Sequence, residues 1–169
     1  MDDPIRSEIG NDDLKFWLFK SEPDSYSIDD LAKAGNQTAS WEGVRNYRAR
    51  NILRDEVKVG DGVFFHHSST DPPGIVGICR IVNSGYPDPS AFDRQSPYFD
   101  SKSTKENPRW FTVDVKLVRK LKEMITLTQL KETPGLERMM VCQRGARLSV
   151  QPVTADEWSI ITHLADKQR

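Results

Sequence analysis

Trp110-Phe111-Thr112-Val113-Asp114-Val115-Lys116-Leu117-Val118-Arg119-Lys120-Leu121 is the stretch that decides the fold class. Phe111, Val113, Val115 and Leu117 alternate with Thr112, Asp114, Lys116 and Val118, so the segment predicts a long strand with one wet face. On its N-terminal side, residues 92–107 are polar and irregular, a long loop punctuated by Pro97 and Pro108. Before that loop, Val63–Ser68 and Gly74–Val82 read as two strands of an antiparallel hairpin, joined by the turn-rich Ser69–Pro73 and ended by Tyr86-Pro87-Asp88-Pro89. On the C-terminal side, Thr126-Leu127-Thr128-Gln129 has the form of a capping box, and Leu136–Val141 of a further helical turn. Leu148–Val153 is a strand stopped by proline. Thr154-Ala155-Asp156-Glu157 then caps a last helix whose apolar face is Trp158, Ile161 and Leu164/Ala165.

Nearer the N-terminus, Phe16-Trp17-Leu18-Phe19 is an aromatic-rich strand stopped by Pro23, and Ser27 caps a short helix with acidic residues in its first turn. Asn46 is placed to cap a helix opened by Tyr47, with Ala49, Ile52, Leu53 and Val57 as its buried stripe. Arg48, Arg50, Arg54 and Lys58 fall outside that stripe. Residues 1–13 are polar and acidic and are expected to form a disordered tail, leaving 14–169 as a single domain. The whole is an α+β chain of five to six strands with short surrounding helices. A small curved mixed sheet or partly closed β-barrel is the natural architecture.

The 169 residues suffice for one domain with a sizeable core. Basic and acidic residues nearly cancel, 24 against 25, which argues against a protein that coats nucleic acid by charge alone. A pocket that reads one nucleotide beside a local basic patch is compatible with that balance. No apolar run approaches membrane-spanning length, and no signal-peptide pattern opens the chain. Cys79 and Cys142 lack CxxC spacing and read as reduced thiols of a protein that is cytoplasmic in a bacterium or nuclear in a eukaryote.

Three polar clusters break the local patterns. Lys20-Ser21-Glu22-Pro23 places charge and hydroxyl directly after a buried strand. Trp41-Glu42-Gly43-Val44-Arg45-Asn46-Tyr47-Arg48-Ala49-Arg50 joins an aromatic, a turn glycine and guanidinium groups at a helix start. Arg147-Leu148-Ser149-Val150-Gln151-Pro152 puts Ser149 and Gln151 on one strand face and Leu148 and Val150 on the other. Taken singly, each has a bland reading: a core tryptophan, a solvated helix face, the wet side of an amphipathic strand. Together they supply what a base-reading pocket requires, a ring for stacking and polar groups for the base edge.

These segments, with Val59-Gly60-Asp61, His67-Ser68, Gly74-Ile75-Val76-Gly77, Tyr86-Pro87-Asp88 and Val113-Asp114-Val115, together resemble the EVE domain family, in order from Phe16 to Leu164. The resemblance implies a PUA-like small β-barrel, related in shape to the YTH domains that hold methylated adenine of RNA in an aromatic cage. It implies a non-catalytic reader of a modified base, often a modified cytosine in DNA, with no cofactor, no metal and a single chain as the working unit. It points to Trp41 as the stacking wall, to Lys20, Ser21 and Glu22 facing the ligand edge, and to Val44, Arg45 and Asn46 as rim and helix entry. His67 would offer a hydrogen bond, and Ser149, Gln151 and Pro152 the opposite side. Arg45, Arg48, Arg50 and Arg54 are the expected contacts to the nucleic-acid backbone. A second cage ring is not singled out by the motifs; Trp17, Phe65 and Tyr98 are the candidates. The short acidic tail resembles bacterial members more than the lysine-rich eukaryotic ones.

Two other readings stand beside this one. The same fold directed to structured RNA would be distinguished through the 2′-OH. A small-molecule hydrolase would use His67 with Ser68 or Ser149, or Glu22 as a base. No Gly-x-Ser-x-Gly elbow accompanies it, and adjacent His66 and His67 point to opposite strand faces and so cannot easily share a metal.

Overall fold

The structure is a computed structural model that describes residues 14–168; the expected tail, 1–13, lies outside the described residues. Six strands, β1 (Phe16–Ser21), β2 (Thr38–Ser40), β3 (Gly62–His67), β4 (Gly74–Pro87), β5 (Phe111–Thr126) and β6 (Val150–Val153), form one sheet in the order β2-β5-β4-β3-β1-β6. β1 and β3 run parallel and every other neighbouring pair is antiparallel. The β4–β5 ladder shifts register several times. Such bulges bend and twist a ribbon, which curves the sheet without closing it, since β2 and β6 remain its edges.

Both faces of the sheet are covered. One core holds Trp17, Phe19, Trp41, Phe65, Val113 and Val115 under helix α2 (Tyr47–Asp55). The other holds Phe16, Leu18, Phe64, Ile75 and Ile78 under Trp158 of helix α4 (Ala155–Asp166). This explains why β1 opens as an unbroken apolar run rather than an alternating one: adjacent residues serve opposite cores.

The helix ends form where the sequence places them. Ser27, Asn46, Thr126 and Thr154 each accept a backbone N–H from the first turn of a helix, and for Ser27, Thr126 and Thr154 the capping box is complete. These cap α1 (Ile28–Lys33), α2, α3 (Leu127–Glu132) and α4 respectively. Ala49, Ile52, Leu53 and Val57 are buried as the stripe requires. β4 and β5 are longer than their patterns suggest because they pair with each other along almost their entire lengths. β2 is an addition: three residues after a turn through Asn36 and Gln37, both at positive φ, which add to the edge of β5. Cys79 and Cys142 are both free thiols. Among the described residues no helix is long and apolar enough to cross a membrane.

Candidate functional site

At one end of the sheet the strand termini leave a cavity of about 630 Å³. Its lining comes from five places in the chain: Lys20, Ser21 and Glu22 at the end of β1; Ser25 and Tyr26 before α1; Ser40 to Arg45 between β2 and α2; Tyr98 in the long loop; and Ser149 ahead of β6. Backbone pairing assembles these pieces. Lys20 N–H donates to the Ser149 carbonyl at 2.8 Å, and Trp41 N–H to the Val113 carbonyl at 2.8 Å.

Three rings border the cavity, those of Tyr26, Trp41 and Tyr98. Trp41 is only 8 % exposed, with Phe19 at 5.3 Å and Phe65 edge-on at 5.2 Å, so most of its indole belongs to the core. Tyr98 is 40 % exposed. Its ring lies across Gly43, where a Cβ would sit 2.6 Å from the Tyr98 ring carbon that carries the hydroxyl, and Gly43 has φ +88°. Only glycine accommodates both the conformation and the approach.

The polar groups are mixed in sign. Lys20 donates from Nζ to the Ala146 carbonyl at 2.9 Å, and burial lowers its pKa. Burial raises the pKa of the Glu42 carboxyl, and nearby Asp88 adds to that effect. The Tyr26 phenol is shifted upward by burial and then by Asp30. Ser21 Oγ donates to the Tyr26 carbonyl at 2.6 Å, which ties the β1 end to the turn before α1. Tyr86 donates its one O–H to Asp114 at 2.5 Å and accepts from Ser40 Oγ at 2.9 Å; burial, with Asp114, pushes its phenol up to about 12. Among the described residues no group of three or more His, Cys, Asp and Glu side chains is arranged to hold a metal.

Arg45 lines the cavity with every donor engaged. Nε and Nη2 both donate to the Tyr98 carbonyl, at 3.2 and 2.6 Å. Nη1 donates to the Val44 carbonyl and to Asp88 Oδ2, each at 3.0 Å, and Nη2 also to Ser90 Oγ at 3.4 Å. A guanidinium has five N–H bonds, so none is left over for a phosphate.

Lys20, Ser21, Glu22, Trp41, Val44, Arg45 and Ser149 are thus brought together at the cavity, and the remaining candidates sit elsewhere. Asn46 is occupied as the α2 cap, accepting from Ala49 N–H at 3.0 Å. His67 Nε2 accepts from Ile28 N–H at 3.1 Å, at the start of α1. Gln151 is 1 % exposed because its strand is covered on both faces, and its amide donates to the Leu148 carbonyl at 2.8 Å. Pro152 is exposed on edge strand β6, away from the cavity lining. Arg50 donates to Asn51 and to the Arg109 carbonyl and lies over the Tyr47 ring; Arg54 grips Asp55 through two hydrogen bonds. Arg48 is exposed. Of the candidate second rings, Trp17 donates its indole N–H to Asp61 at 2.9 Å within the core, Phe65 is buried, and Tyr98 lines the cavity. Ser25, Tyr26 and Ser40 carry no signal by residue type, whereas Glu42 and Gly43 belong to the Trp41–Arg50 cluster, Gly43 as its turn glycine. For Ser40 the one available signal is its place next to Trp41.

The EVE domain model matches residues 15–164. The chain belongs to the EVE domain family. It is 43 % identical to chicken (Gallus gallus) thymocyte nuclear protein 1, in a match covering 96 % of this chain and 75 % of the relative. Human thymocyte nuclear protein 1 is 41 % identical, with 90 % of this chain and 74 % of the relative covered. Among solved structures, human THYN1 in complex with 5-methylcytosine-containing DNA superposes with a TM-score of 0.83 at 40 % identity, covering 92 % of this chain and 99 % of that one. A protein from Pseudomonas syringae does so at 0.83 and 48 % identity, covering 89 % and 99 %. The curved α+β architecture is therefore that of the EVE domains.

Proposed function

We propose that this protein is a non-catalytic reader that takes a modified base, a modified cytosine in DNA, into the cavity between Trp41, Tyr98 and the β1 end. The observation that carries the reading is the joint lining: aromatic rings beside carboxylates, hydroxyls and an ammonium group. Cytosine presents an exocyclic amine, which a carboxylate accepts. Glu22 and Glu42 are the acceptors at hand, and Lys20, Ser25 and Ser149 can serve its acceptor atoms. Val44 and Trp41 offer apolar surface for a methyl substituent. The relative's complex with 5-methylcytosine DNA supports the choice of base.

Extruding a base from a duplex takes a few kcal/mol, so single-stranded or mismatched contexts bind better. A net charge of −1 gives a shallow salt dependence. The hydrolase alternative would use His67 with Ser68 or Ser149, or Glu22 as a base, whereas His67 Nε2 already accepts from the Ile28 N–H and His67 is absent from the cavity lining. The working unit is one chain per base, in whichever compartment holds the nucleic acid.

The test is titration of intrinsic tryptophan fluorescence with matched oligonucleotides carrying cytosine, 5-methylcytosine, 5-hydroxymethylcytosine or methylated adenine, in DNA and RNA forms. Selective quenching by a modified cytosine in DNA is the expected result. Preference for the RNA form would transfer the reading to RNA, and equal binding to all would remove base recognition.

A further inference from the structure

An exposed tyrosine on a long loop is ordinarily mobile, yet Tyr98 is fixed from three sides. Its carbonyl receives two donors of Arg45, its N–H donates to Ser96 Oγ at 3.0 Å, and its ring lies across Gly43. The Arg45 guanidinium is 5.7 Å from the Tyr98 ring centre and 5.2 Å from that of Trp110, which itself stacks on Tyr47 at 4.9 Å. Asp88, whose side chain is fully buried, holds Arg45 and Gly43 N–H on a single oxygen. Trp41 meanwhile has its ring committed to Phe19 and Phe65, so it forms the floor and presents little stacking face.

We propose that Tyr98 is the ring against which the bound base stacks, and that Arg45 is a positioning residue which holds Tyr98 there without contacting the nucleic acid. This rests on the base-reading function above. It makes the loop between β4 and β5 the supplier of the stacking wall, and removes Arg45 from the phosphate-binding set. An arginine binding phosphate would need free donors and would contribute to the salt dependence; one acting through Tyr98 contributes to neither.

The experiment measures affinity for a 5′-labelled single-stranded DNA carrying one 5-methylcytosine, by anisotropy at several salt concentrations. The proteins are the wild type, Tyr98→Ala, Tyr98→Phe, Arg45→Ala, Arg45→Lys and Arg45→Ala/Tyr98→Ala. Tyr98→Ala is expected to weaken binding at least about tenfold, the scale of one stacking contact, and Tyr98→Phe to leave it within about threefold. Arg45→Ala is expected to weaken binding with an unchanged salt slope, and the double variant to bind no worse than Tyr98→Ala. Arg45→Lys, lacking the planar fork, should behave as Arg45→Ala and replaces it should the alanine variant fail to fold.

In the free protein, hydrogen exchange at the Tyr98 and Asp100 amides should accelerate at least about tenfold in Arg45→Ala. Additive losses with a flattened salt slope would make Arg45 a phosphate contact and overturn the proposal. So would unchanged exchange, or undiminished binding by Tyr98→Ala. If the wild type binds none of the oligonucleotides, the base-reading function fails and Tyr98 loses its role as wall, while the exchange rates still decide whether Arg45 holds it.

Discussion

Asp88→Asn replaces one carboxylate oxygen of a fully buried side chain that receives four donors: Gly43 N–H at 2.9 Å and Arg45 at 3.0 Å on one oxygen, Ser90 N–H at 2.8 Å and Ser90 Oγ at 2.6 Å on the other. The amide retains one acceptor. Its best orientation keeps the oxygen toward Gly43 and Arg45 and turns the NH₂ toward Ser90. The Ser90 hydroxyl can then accept instead of donate, but the Ser90 N–H is stranded. A stranded buried donor costs about 1–3 kcal/mol. The lost ion pair adds less than the roughly 3–5 kcal/mol of a fully buried one, because the Arg45 side chain is 23 % exposed and water partly replaces the charge. The sum is about 3 kcal/mol, a large share of the roughly 5–15 kcal/mol that holds a domain folded. Urea unfolding at neutral pH should show the midpoint falling by about 1–2 M with an unchanged slope. In an Arg45→Met background the same change should cost less. A loss below about 1 kcal/mol, or no difference between backgrounds, would refute the view that Asp88 and Arg45 act as one buried unit.

Gly43→Ala should abolish modified-base binding while the protein stays folded, because the added methyl meets the Tyr98 ring at 2.6 Å in a backbone at φ +88°; wild-type affinity would show that Tyr98 is not seated there. His66 is 2 % exposed and its pKa is lowered to about 4, by burial first and then by Lys20 and His67. Between about pH 6.5 and 4 the unfolded chain takes up a proton that the folded one refuses, so stability falls as pH drops through that window. The loss is about 2 kcal/mol by pH 5 and levels off below about pH 4. Urea midpoints across this range should lose that component in His66→Gln. Thr154→Ala removes the α4 capping box and should cost about 1 kcal/mol in a thermal melt, with base affinity unchanged. Trp41→Ala should destabilise by about 3–5 kcal/mol as a core truncation, so affinity is better read in Trp41→Phe.

Elements with a local cause were legible in the sequence. The four cap residues, the α2 stripe and the β3–β4 hairpin each follow from groups within a few positions of one another. β2 was not legible, because Thr38-Ala39-Ser40 becomes a strand only by lying against β5. Parity along the expected strand Leu148–Val153 cannot show that β6 begins only at Val150, leaving Ser149 ahead of it at the cavity, nor that β6 is covered on both sides, which buries Gln151. The arginines of α2 were recognisable as lying outside its stripe. The partners were not, either for these or for Arg45 just ahead of the helix: Arg45 answers to Asp88 and Tyr98, and Arg50 to Arg109, tens of residues away. Tyr98 itself could be named only as one of three rings, because its loop carries no periodic signal.

The hydrogen bond from Lys20 to Ser149 has a temporal consequence. Lys20, Ser21 and Glu22 are synthesised long before Ser149, which completes the lining beside them. The cavity therefore stays incomplete in a nascent chain until Ser149 has emerged and β6 can pair with β1. Its lining is completed in the same event that adds β6 to the sheet.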